Sequence, residues 1–113
     1  MELDYYVYIL TNPGKTVLYI GVTNNLHQRL IEHYLNLGER KPFAGRYSCY
    51  MLLYYEVFNL IRDAIAREKQ LKGWSRKKKD DLIRTKNPEF RFLNIDLLGF
   101  WPPRDKWNQG SVD

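Results

Sequence analysis

Five side chains have types and spacings that suit chemistry: Tyr8, Tyr19, Arg29, His33 and Glu68. Arg29 and His33 stand four residues apart in "TNNLHQRLIEHYLNLG" (23–38), a segment that reads as a helix. Leu26, Leu30, Tyr34 and Leu37 gather on one side of its wheel, with His33 inside that arc and Arg29 at its edge. In "NLIRDAIAREKQLKGW" (59–74), Ile61, Ala64, Ile65 and Leu71 mark an apolar face, and Glu68 falls near its centre. Glutamate is almost never buried unless paired or coordinated. Tyr8 and Tyr19 lie in the strand-like runs "YYVYIL" (5–10) and "VLYIGV" (17–22). Ordinary readings stay open: a snorkelling arginine, a boundary histidine, and an exposed Glu68–Lys72 pair at i, i+4. Taken together, the set is what hydrolysis of a phosphodiester needs. A carboxylate holds a divalent cation whose shell is completed by phosphate oxygens and water. A guanidinium fork meets the non-bridging oxygens. A further group takes the proton of the attacking water. A phenol ionises at about pH 10, so it acts as a base only beside positive charge, here Arg29 and the metal.

Three strands and three helices must position these groups. "TNPGKT" between the first two runs carries a Pro-Gly turn signal. A four-residue loop, Asn12 to Lys15, sets Leu10 opposite Val17, Tyr8 opposite Tyr19 and Tyr6 opposite Gly21. The period of two then puts Val7, Ile9, Leu18 and Ile20 on one face, and Tyr6, Tyr8, Tyr19 and Gly21 on the other. Gly21 leaves a gap beside the phenols, where a phosphate and its water are expected to approach. The first helix is capped by Thr23 or Asn24 and ends at Gly38. A polar, basic loop (39–48) leads to a third strand, "CYMLLYYEVF" (49–58). The helix over 59–74 is capped by Asn59 and closed by Gly73. A short third helix (75–87) starts at Ser75 and stops before Pro88. The order is β-β-α-β-α-α, an α+β fold. Residues 1–94 form the domain, and 95–113 an extension with no clear period.

The totals agree with one small domain. The chain has 113 residues, 44% hydrophobic and 15% aromatic, with nine Tyr. Its 18 Lys and Arg outweigh 13 acids, giving +5 and a pI near 9.4, which favours a polyanionic partner. The single cysteine, Cys49, cannot form an internal disulfide and reads as a buried thiol in a reducing cytosol. Two His and one Cys without paired spacing argue against structural zinc. No segment approaches the ~20 apolar residues of a membrane span, and no signal peptide is legible. The expected location is the cytoplasm.

Tyr6-Val7-Tyr8, ten residues, then Tyr19-Ile20-Gly21 resemble the paired motif of the GIY-YIG nuclease superfamily. Gly21-Val22-Thr23 with "NNLHQRLIEH" is similar to its next element, where an Arg and a His four residues later face the site. "AIAREKQLKGWSRKKK" is similar to the later helix with the metal-binding Glu, and Asn87 in "KNPEF" matches the family's C-terminal Asn. The likeness covers about residues 4 to 94, in five ordered motifs, and is greatest to small stand-alone bacterial members. It implies a mainly antiparallel three-stranded sheet flanked by helices. It also implies single-metal hydrolysis of DNA, usually with Mg²⁺ and alternatively Mn²⁺, leaving 5′-phosphate and 3′-hydroxyl ends. By position, Tyr19 is the general base, Tyr8 positions water or phosphate, and Arg29 stabilises developing charge. His33 assists by hydrogen bonding, Glu68 binds the metal, and Asn87 orients or buttresses the site. Two departures matter. Tyr6 stands where the family name has Gly, and Val22 stands where some members have a basic residue, which shifts charge stabilisation onto Arg29.

Eleven basic and five acidic residues lie between Arg62 and Arg91. Arg76, Lys77, Lys78 and Lys79 begin the third helix and, with Lys72, make a phosphate-tracking surface, with Lys41 and Arg46 as the other wall. The expected partner is DNA, with RNA left open, read with low sequence preference or by structure, in repair or recombination. The protein is expected to be a monomer or weak homodimer. The alternative function is a nucleic-acid-binding module with weak or lost catalysis. A third reading is a docking domain that uses the C-terminal Trp101 and Trp107.

Overall fold

The computed structural model describes residues 4–35 and 48–103. Strands β1 (Tyr5–Thr11) and β2 (Leu18–Thr23) form a hairpin, followed by α1 (Leu26–Leu35), β3 (Met51–Phe58), α2 (Ile61–Lys72), α3 (Arg76–Lys86) and α4 (Asn94–Leu98). The sheet order is β2-β1-β3, antiparallel throughout. This is the expected three-stranded α+β fold, with α4 added where the sequence shows no period.

β1 is central, and Val7 to Thr11 are wholly buried. A central strand packed on both faces explains its unbroken apolar run. On one face Val7, Ile9 and Ile20 join Leu53 and Tyr54 under Ala64, Leu71 and Ile83 of α2 and α3. On the other, Tyr8, Leu10 and Leu52 pack with Leu26 and Leu30 of α1 and the buried Cys49, partly covered by Leu97, Leu98 and Trp101. A register shift between Ile9 and Leu10 lets both Leu53 and Tyr54 enter the first core. The phenol face is therefore a second core, closed by α1.

The hairpin register departs from expectation by two residues. Thr11 pairs with Leu18, so residues 12–17 make a six-residue loop, and Tyr8 opposes Gly21 while Tyr19 opposes Leu10. The cause is Asn12. Its Oδ1 accepts from the Thr16 and Val17 amides (2.9 and 3.0 Å), and its Nδ2 donates to Thr16 Oγ1 (2.8 Å). These bonds satisfy loop donors that a tighter turn would have paired across the strands. A shift of two keeps the face assignment intact.

Helix starts also move. Asn25 caps α1, its Oδ1 accepting from Gln28 N at 3.1 Å, while Thr23 Oγ1 accepts from Asn25 N instead. α2 begins after Leu60 without a side-chain cap, so Asn59 does not serve, and Gly73 closes it as expected. Ser75 caps α3 through Lys78 N. Ile61 and Ile65 are not core residues, being 44% and 38% exposed. The buried stripe of α2 is Ala64 and Leu71, with half-buried Glu68 between them at i+4 from Ala64. Gly38 lies outside the described residues. Among the described residues no helix is long and apolar enough to cross a membrane.

Candidate active site

Tyr8, Tyr19, Arg29 and His33 meet under α1. Tyr8 projects from the central strand and is fully buried. Its hydroxyl lies 3.0 Å from His33 Nε2 and accepts a longer bond, 3.4 Å, from Arg29 Nε. The Tyr19 ring is edge-on to His33 at 5.3 Å between centroids and lies 6.3 Å from the Tyr8 ring. Arg29 and His33 reach one hydroxyl because one helical turn separates them. The spacing read from the sequence thus delivers them to a common target.

Burial, opposed by the Arg29 hydrogen bond, pushes the Tyr8 phenol up to about 12. Burial, then the Arg29 charge, holds the His33 imidazole down to about 4. Near neutral pH both groups are uncharged. The Tyr8 hydroxyl accepts from Arg29 Nε and shares a second hydrogen bond with His33 Nε2. Tyr8 is thereby a held, protonated phenol and not a base.

The space over Gly21 is taken by the protein itself. A Cβ built there would collide with the Tyr8 hydroxyl and ring carbon Cζ. Gly21 is required because Tyr8 lies across it, a consequence of the two-residue register shift. The expected open gap for substrate is filled by Tyr8.

Glu68 approaches from α2. Its side chain is 17% exposed, and its Oε2 is 3.1 Å from Lys72 Nζ, so the inward and the ion-paired readings both hold. Its charge lies close enough to act on the Tyr8 phenol, raising it. Among the described residues no three His, Cys, Asp or Glu gather to hold a metal. A lone carboxylate fits a hard divalent ion that keeps most of its ligands as water and phosphate oxygen. It does not fit a closed structural site.

Asn87 does not join this group. It caps α3 and is buried, with Nδ2 donating to Leu53 O (3.0 Å) and Arg91 O (2.9 Å) and Oδ1 accepting from Arg91 N (3.0 Å). It ties α3 to β3, across the sheet from β2. Lys72, Arg76, Lys77 and Lys78 lie on the α2–α3 side, and Lys41 and Arg46 lie outside the described residues.

Two contributors escape a reading of the sequence. Glu32 binds Arg29 Nη1 at 3.1 Å, a pair whose i, i+3 spacing was available as a signal. Asn94 is buried, accepting from Leu52 N (2.7 Å) and donating to Tyr50 O (2.9 Å), which fastens α4 to β3 without any periodic signature. Lys79, expected only as one of a basic run, lines a concavity with Tyr19.

The family model described as the GIY-YIG catalytic domain matches residues 4–81. A UPF0213 protein of Natronomonas pharaonis is 35% identical over 83 residues, 74% of this chain and 94% of that protein. A UPF0213 protein of Bacillus pumilus is 36% identical over 77 residues, 68% of this chain and 76% of its own length. The solution NMR structure of a UPF0213 protein from Bacillus halodurans aligns with a TM-score of 0.50 at 25% identity, covering 78% of this chain and 90% of that one.

Proposed function

This chain belongs to the GIY-YIG family, and on that premise we propose that it is a metal-dependent endonuclease hydrolysing DNA phosphodiester bonds. The observation that carries the proposal is the Tyr8–Arg29–His33 knot with Tyr19 against it. Burial holds the Tyr8 phenol protonated, which supports Tyr19, the other phenol of the cluster, as the group for proton transfer. Water attacks phosphorus, and Tyr19, acting as the phenolate, takes its proton. The bond to the 3′-oxygen breaks and the departing alkoxide takes a proton from solvent, leaving a 5′-phosphate and a 3′-hydroxyl. Arg29 offers donors to the charge that grows on the non-bridging oxygens, positioned by its bonds to Tyr8 and Glu32. Tyr8 is hydrogen-bonded to His33 and orients the guanidinium. Glu68 would hold the cation, Mg²⁺ or Mn²⁺, which when bound supplies Lewis acidity at the phosphate. Asn87 buttresses β3 from a distance.

Contacts from lysine to phosphate carry no base readout, so low sequence preference or structure selectivity follows, as in repair or recombination. The test is nicking of plasmid or branched DNA with Mg²⁺ or Mn²⁺. Wild type should cleave, and Glu68→Ala and Tyr19→Phe should not. Undiminished cleavage by both variants would sink the assignment. A specific contact favours a second reading, a nucleic-acid-binding module with weak catalysis: Lys72 already sits on the one candidate metal carboxylate. Salt-sensitive binding without cleavage under any metal would select it.

A further inference from the structure

The basic run around the α2–α3 junction is not uniform. Arg76 donates to the Thr16 and Lys15 carbonyls, each at 3.0 Å, and to Asp80. It clamps the hairpin loop. Lys77 pairs with Asp81 at 2.9 Å, and its side chain is 84% exposed. Lys78 lies over the Trp74 ring, 4.4 Å from its centroid. Lys72 and Lys79 behave differently. They come from two helices, brought together by the turn at Gly73, Trp74 and Ser75. Both line a hollow of about 240 Å³ whose other wall is Leu18, Tyr19 and Ile20 of β2.

β2 is an edge strand of the sheet, so its outer main chain lacks a strand partner among the described residues. The hollow therefore combines two ammonium groups, a strip of edge backbone and two apolar side chains. Apolar walls beside like charges focus the potential on an anion entering between them. The volume falls below that of a typical small-molecule pocket, ~300–1,000 Å³. It suits a phosphodiester and the edge of its sugar, not a base. Lys72 also touches Glu68 at 3.1 Å, so the hollow is one side chain away from the candidate metal ligand.

We infer that this hollow is a phosphate subsite for the linkage next to the one cleaved, with Lys72 and Lys79 as its cationic walls. The inference rests on the nuclease reading for its position in the strand. It separates Lys79 from its exposed neighbours in the same run, which are engaged elsewhere.

The experiment measures binding of the full chain in EDTA to short branched DNA, whose junction fixes the register, with one uncharged methylphosphonate linkage moved stepwise away from the junction. In wild type one position should weaken binding roughly three- to five-fold. Lys79→Gln should weaken binding by a similar factor and erase the sensitivity at that position. It should also reduce the slope of log K against log salt by about 0.9, one phosphate contact. Lys79→Arg should restore both, and Lys69→Gln, at an exposed α2 position outside the proposed DNA surface, should change neither. Equal losses from Lys69→Gln and Lys79→Gln, or a linkage penalty that persists in Lys79→Gln, would overturn the subsite. The same set is then assayed for cleavage with Mg²⁺ and Mn²⁺. Cleavage without the coupling removes the subsite and keeps the nuclease. Coupling without cleavage keeps the phosphate site and removes the nuclease.

Discussion

Two clusters in this protein pair a tyrosine with an arginine, and they differ in what is left over. On the α2 side, Arg67 grips Glu56 with two bonds, 2.8 and 2.9 Å, and gives a third to Gln70 at 2.8 Å. Tyr54 donates to the same carboxylate, and the guanidinium stacks on Trp74. On the α1 side, Arg29 makes one long bond to Tyr8 and one to Glu32, in a pair whose side chains are 44% and 41% exposed. Both tyrosines are pushed up chiefly by burial. A perturbed phenol alone does not mark a site, since structural networks perturb groups as strongly. The distinction lies in unused donors. The Arg67 network is closed and holds α2 against β3. Among the described residues Arg29 bonds only Tyr8 and Glu32, and its half-exposed guanidinium has donors to spare.

The largest expected effect tests that difference directly. Glu68→Gln and Tyr19→Phe should each lower cleavage by about 10²–10⁴-fold with little loss of stability. Glu56→Gln should do the reverse, costing about 1.5–3 kcal/mol by denaturant titration while the folded fraction still cleaves. If Glu56→Gln abolishes cleavage at full stability, the two clusters have been assigned the wrong way round.

Gly21→Ala comes next. Its Cβ must displace the Tyr8 ring in a fully buried setting, at about 1–3 kcal/mol. The Tyr8–His33 bond should break with it, so cleavage falls further than stability does. An unchanged urea midpoint would show that Tyr8 does not lie across Gly21.

A smaller effect is electrostatic. In the unfolded chain an imidazole takes its proton at about pH 6.5, but His33 does so only at about 4 in the fold. Between those values the unfolded state binds more protons, so this group's contribution to stability is complete above 6.5 and is lost as pH falls toward 4. His33→Gln should shrink the difference between urea midpoints at pH 7 and pH 5. An identical difference in both proteins would refute the burial argument. The smallest effect is Lys77→Gln, within about 0.5 kcal/mol of wild type in stability, because its pair with Asp81 is fully solvated.

Legibility from the sequence followed the range of the interaction. Arg29 and His33 were found by helical spacing, since both contacts to Tyr8 arise from one turn of α1. Tyr8 and Tyr19 were placed on the correct face by alternation, even though their pairing was wrong. The loop register was missed because one side chain, Asn12, supplied the turn's hydrogen bonds. The α2 wheel misjudged Ile61 and Ile65, because a wheel gives the apolar centre of a helix and not the line along which the sheet meets it. Glu68 proved to be on that line.

The sequence by itself determined the element order, the two sheet faces and the family. These rest on periods of 2 and 3.6 and on ordered motifs, which are local or cumulative along the chain. The tertiary structure decided which of those residues stay available. Tyr8 fills the place over Gly21, Asn87 ties β3 to α3, Arg76 clamps the hairpin loop, and Lys72 and Lys79 converge on β2. Each of these depends on where separate elements cross, and a crossing is set by the packing of whole cores, which no single stretch of sequence contains.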